Sequence, residues 1–168
     1  MGFFDLFIGK EEEVFINSLH EEFSKHFPKM PENRIITLAC LAGLLARVAY
    51  VDFEVHEHEV EHMEDALIKW VAITREEAHF VAQYAVTEMK NLSGLDNRKY
   101  CTPLLDILST DERYQVLISL FELAAADGIV EIAETNEISY IAKSLVLENK
   151  YFISAKAKVR EHLGALKK

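Results

Sequence analysis

The chain carries one pattern twice, seventy-five residues apart and without a gap. The first copy runs from Leu45 through Ala49 and Asp52 to Val55 and Glu59. The second places Leu120, Ala124, Asp127, Val130 and Glu134 at the same spacings. Each copy reads as an apolar helix, a turn opened by Asp, an inward Val, and a Glu in the first turns of the next helix. Glu59 and Glu134 each stand four residues before an apolar position, Met63 and Ile138, and so fall on the inward stripe of their helices. A fold that accepts this pattern must pack two apolar helices and bring carboxylates toward its interior.

The periodicity predicts helices throughout and no strand with period-two alternation. The expected segments are about 11–27, 32–50, 57–71, 74–90, 97–108, 111–126, 131–147 and 154–166. Pro28 and Pro31 end the first, and Thr74 with Glu77 forms a capping box that opens the fourth. Ser93-Gly94 stops the fourth, and Pro103 interrupts the fifth. The second helix is apolar almost all round, which places it in the core, and its small residues Ala39, Ala42, Gly43, Ala46 and Ala49 let other helices approach. The fold class expected is all-α: a bundle of about seven to eight helices built from two related helix-turn-helix halves. Residues 1–168 form a single domain, with repeat 1 at about 32–90, repeat 2 at about 109–166, and an apolar segment at 1–10.

With half its residues hydrophobic, the chain can bury a sizeable core. Its formal net charge of -10 argues against a nucleic-acid binder, which needs a basic stripe. No apolar run is long enough for a membrane span, and no basic region precedes the apolar start as in a secretory signal. Cys40 reads as a small core residue and Cys101, beside Pro103, as part of a linker. Cysteine usage of this kind points to a reducing, cytoplasmic setting. Phe3, Phe4, Leu6, Phe7 and Ile8 form a terminal segment that either docks on its own domain or meets a partner or membrane surface.

Two readings of the acidic turns stay open. In one, each Asp and Glu accepts hydrogen bonds from its turn and helix N-terminus, where the helix dipole favours negative charge. In the other, Asp52, Glu59, Asp127 and Glu134 hold a divalent cation between the turns. Carboxylates favour Ca²⁺ or Mg²⁺, while His58 and His62 beside Glu59 tilt the site toward Zn²⁺. The spacing is not that of an EF-hand, whose Glu follows its first Asp by eleven residues rather than seven. His58-Glu59-Val60-Glu61-His62 also matches H-E-x-x-H, the motif of zinc proteases. Its short length and the loss of both histidines in the second copy, at Ala133 and Glu137, discount catalysis.

An apolar helix ending in Ala-x-x-Asp-Gly-x-Val, with Glu four places after the Val, resembles the tellurite-resistance TerB family. The same kind of domain occurs at the N-terminus of membrane-anchored DnaJ-like co-chaperones. Ala124-Ala125-Ala126-Asp127-Gly128-Ile129-Val130, ending at Glu134, carries the match, which extends over roughly Ile35 to Leu147. In the first copy Phe53 stands where Gly is expected. The resemblance implies an all-helical, non-enzymatic stress-response module with a role in metal sensing or in scaffolding membrane-associated complexes. The function expected is a cytoplasmic module that binds a divalent metal ion and docks a protein partner, with no nucleic acid and no transmembrane segment. Homo-oligomer formation stays open. The alternatives are a metal-free interaction scaffold and a zinc hydrolase on His58, Glu59 and His62.

Overall fold

Helix α2 (Glu32–Ala49) is buried along nearly its whole length, from Ile35 through Leu38, Leu41 and Leu45 to Ala49. A helix this apolar loses little to dehydration and gains about 1.5–3 kcal/mol for each large side chain it buries. It becomes the axis of the computed structural model, which describes residues 10–51, 54–91 and 98–164. Around it lie α1 (Lys10–His26), α3 (Glu57–Val71), α4 (Arg75–Asn91), α5 (Arg98–Ile107), α6 (Thr110–Ala124), α7 (Ile132–Ser144) and α8 (Asn149–Ala157). Helices α1, α3, α4, α5 and α6 all pack directly on α2. The described residues hold no strand, only an isolated parallel bridge between Val130 and Leu163. The fold is all-α.

The local signals explain most helix ends. Thr74 and Glu77 exchange backbone and side-chain bonds of 2.8 and 3.1 Å at the start of α4. Ser109 and Glu112 do the same at the start of α6. Helix α3 ends on Ala72 at φ 55°, and α7 is followed by Val146 at φ 53°. Neither residue is glycine, and each left-handed conformation costs on the order of 1 kcal/mol. An arginine anchors each end: Arg34 from the start of α2 donates to the Val71 carbonyl, and Arg113 from the start of α6 donates to the Leu145 carbonyl.

Three expectations need correction. Pro103 lies inside α5 rather than interrupting it. It removes one helical amide bond, and the burial of Tyr100, Cys101 and Leu104 holds the segment helical against α2 and α7. Cys101 is therefore a core residue and not part of a linker. The last helix starts at Asn149 instead of Ser154 and ends at Ala157, because the chain then doubles back through the short turn Arg160–His162 to reach Val130. The Phe-rich start, Asp52, Phe53 and the Ser93-Gly94 stop lie outside the described residues.

Candidate functional site

The second acidic turn is defined atom by atom. After α6 the backbone tightens into a 3-10 turn, Ala125–Asp127, and Gly128 takes φ 98°, a conformation that favours a residue without a Cβ. Asp127 Oδ1 accepts from the Ile129 amide at 3.0 Å, closing the turn over its own backbone. The Gly128 amide donates to the Ala125 carbonyl at 2.9 Å. Val130 is then buried and Glu131 leads into α7 with extended backbone. Glu134, third in that helix, turns back so that its Oε2 accepts from the Glu131 amide at 2.8 Å.

In the first half, Glu59 makes the same bond: its Oε2 accepts from the His56 amide at 2.8 Å. His56 and Glu131 share extended backbone, with φ/ψ of -87°/151° and -73°/157°. Glu59 is 2% exposed and Glu134 5%. A carboxylate that deep is costly without partners. Here each meets an amide that its helix leaves unpaired, at the positive end of the helix dipole. The residue types are thus accounted for by the geometry of helix entry. Helix α3 also packs on the Ala125–Asp127 turn, so the start of one half lies against the acidic turn of the other.

The remaining candidates point elsewhere. His58 and His62 are exposed on α3, whereas Glu59 between them is buried. His58 Nδ1 is 3.6 Å from Glu61 Oε2. A zinc-protease motif needs its Glu beside the metal-bound water; this Glu is turned inward onto a backbone amide. Asp127 is exposed and occupied at one oxygen by its own turn. Among the described residues, no three His, Cys, Asp or Glu side chains come together as a metal-binding group. Asp52, the remaining member of the set Asp52, His58, Glu59, His62, Asp127 and Glu134, lies outside the described residues.

One polar cluster has no counterpart in any sequence motif. Glu64, buried on α3, accepts at Oε2 from Arg75 Nη1 at 3.3 Å, and its Oε1 lies 2.6 Å from His79 Nδ1. Arg75 also bonds Asp65 at 2.6 Å, and the carboxylates, Asp65 first, hold its guanidinium above its usual value. The only sequence signal is that Glu64 follows Met63 on the α3 stripe. Its partners lie eleven and fifteen residues away on another helix, beyond any local pattern. Cys40 and Cys101 are buried, and burial pushes the Cys40 thiol up to about 12. Such a thiol is no nucleophile at neutral pH.

The sequence model of the family described as Tellurite resistance protein TerB matches residues 37–157. The chain belongs to the TerB family. The matched span runs from α2 to the end of α8 and takes in both acidic turns of this TerB domain. No curated protein and no solved structure matches the chain significantly. TerB domains are in general non-catalytic modules. No helix among the described residues is long and apolar enough to cross a membrane.

Proposed function

We propose that this TerB domain is a non-enzymatic stress-response module, of the tellurite-resistance type, that works by docking a protein partner. One observation carries the reading. The large exposed apolar side chains of the described residues, Ile129, Ile132, Tyr140, Val146 and Ile153, all fall in one stretch from the second acidic turn to α8. Single exposed apolar residues are ordinary; this concentration in one part of a chain with charge -10 is the composition of a contact surface. The inward turn of Glu59 and Glu134 onto helix-entry amides supports a structural role for these two carboxylates.

The test pairs function with folding. A strain lacking the chain should regain tolerance to tellurite with the wild type but not with the Ile132→Asp, Tyr140→Asp double variant, whose thermal unfolding should match the wild type. Full tolerance with the double variant would reject the docking reading. The cation reading, with Ca²⁺, Mg²⁺ or Zn²⁺ between Asp52, Glu59, Asp127 and Glu134, is decided by metal titration after chelator treatment. An ion bound only by the native state must raise the unfolding temperature.

A further inference from the structure

Val130 does something that Val55, its counterpart seventy-five residues earlier, does not. The Val130 amide donates to the His162 carbonyl at 2.6 Å, and the Gly164 amide donates to the Val130 carbonyl at 2.8 Å. The two bonds form the parallel bridge to Leu163, whose side chain is buried. His162 adds a contact from Nδ1 to the Gly128 carbonyl at 3.0 Å. The approach is close enough that a Cβ at Gly164 would lie 3.1 Å from the Val130 oxygen. In the second half, then, an extended segment lies along the backbone that enters α7.

Among the described residues, the first half has the same entry and no such segment. His56 takes the backbone conformation of Glu131, and Glu59 makes the bond of Glu134. Helix α4 continues to Asn91, whereas α8 stops at Ala157 and frees the following chain to double back. Among the described residues, neither the amide nor the carbonyl of Val55 has a backbone partner. Beside it lies a groove of about 490 Å³ between α3 and α4, lined by Val55, Val60 and Val86 together with Glu57, Glu61 and Glu64. Its three carboxylates face Lys90 at one end and His79, which is bonded to Glu64. Glu64 is held by Arg75 and His79, which leaves Glu57 and Glu61 as the exposed acids at the rim.

We infer that this groove docks an extended segment of a protein partner, with an apolar residue over the Val55–Val60–Val86 floor, basic residues against Glu57 and Glu61, and a two-bond backbone bridge to Val55. Main-chain bonds of this kind supply affinity without dictating sequence, and the flanking pockets and charges select the segment. The chain's own tail shows the chemistry: Lys158 to Lys168 reads Lys-Val-Arg-Glu-His-Leu-Gly-Ala-Leu-Lys-Lys, with a leucine at the bridge and four basic residues against one acid. The groove stands apart from the α7–α8 surface, so either can fail alone.

The experiment uses the full chain, isotopically labelled, and a synthetic peptide with the sequence of residues 158–168. Saturable amide shift changes are expected at Val55, Val60 and Val86, weakening as salt rises. Glu57→Lys with Glu61→Lys should weaken binding by about tenfold or more, and so should Val55→Pro, which removes the donor. Tyr140→Asp should leave it unchanged. Because Glu57 and Glu61 are exposed, their variant tests the groove even where Val55→Pro disturbs folding. Binding indifferent to the charge reversal would overturn the inference. Shift changes confined to Gly128–Val130, where the peptide exchanges with the chain's own tail, would overturn it equally. Concentration-dependent self-association that is lost on removing residues 165–168 would assign the groove to a second copy and overturn the partner.

Discussion

Arg47 Nε donates to Glu137 Oε1 at 2.8 Å, tying α2 of the first half to α7 of the second. The two side chains are only 21% and 12% exposed, unlike the surface pairs of this chain such as Lys25 with Glu21. In the register of the repeat, Glu137 stands where the first copy has His62, and Arg47 where the second has Glu122. The interaction is therefore specific to one side of the molecule, and neither copy predicts it.

Breaking that pair should destabilise the fold. Arg47→Ala leaves the Glu137 carboxylate in a poorly solvated place without its guanidinium, at a cost of about 1–3 kcal/mol. The partial exposure of both groups keeps the figure in the lower part of that range. Urea unfolding of the single variants and of the exchanged pair, Arg47→Glu with Glu137→Arg, measures the coupling. Purely additive losses would mean that the two residues do not act together.

Glu59 and Glu134 should behave as helix-entry residues. Replacing either by Ala removes the acceptor for the His56 or Glu131 amide and should cost about 0.5–2 kcal/mol without any metal present. Gln at either position keeps an acceptor and should recover part of the loss. Chemical unfolding in the presence of chelator checks both. A destabilisation that appears only when metal is supplied would instead assign the carboxylates to a cation.

Gly128 should resist substitution. At φ 98° a side chain is strained even though a Cβ there meets no atom within 4 Å. Gly128→Ala should therefore destabilise by about 1–2 kcal/mol through backbone strain alone. Thermal unfolding measures it, and an unchanged midpoint would show that the turn relaxes.

The Cys40 thiol links stability to alkaline pH. Its value in the folded chain, about 12, lies above the ordinary 9.0, so the folded state holds the proton more tightly. The unfolded chain loses that proton first. The contribution is complete below pH 9 and falls away between 9 and about 12, by about 1.4 kcal/mol for each pH unit in that window. Between pH 8 and pH 10 the stability advantage of the wild type over Cys40→Ala should thus shrink by about 1.4 kcal/mol. Thiol reagents at neutral pH should label Cys40 only after unfolding. Rapid labelling of the native protein would contradict its burial.

Local chemistry determined a great deal here. The all-round apolarity of α2 puts it on the axis, because a helix with no polar face has nowhere else to go. The capping pairs Thr74–Glu77 and Ser109–Glu112 set helix starts, since each satisfies amides within one turn. The apolar register that makes Glu59 and Glu134 inward was equally legible, as was membership of the TerB family in Asp127, Gly128, Val130 and Glu134. Where those carboxylates bond was decided by rotamer and backbone: each reaches the amide three residues back, within its own turn. Tertiary structure alone decided the rest. Pro103 stays helical because packing on α2 and α7 outweighs one lost hydrogen bond. Glu64 finds Arg75 and His79 across two helices, and the tail folds back from Ala157 to bridge Val130. Each of these contacts joins residues far apart in the chain, and periodicity reports only which face of a helix is buried, never what lies against it.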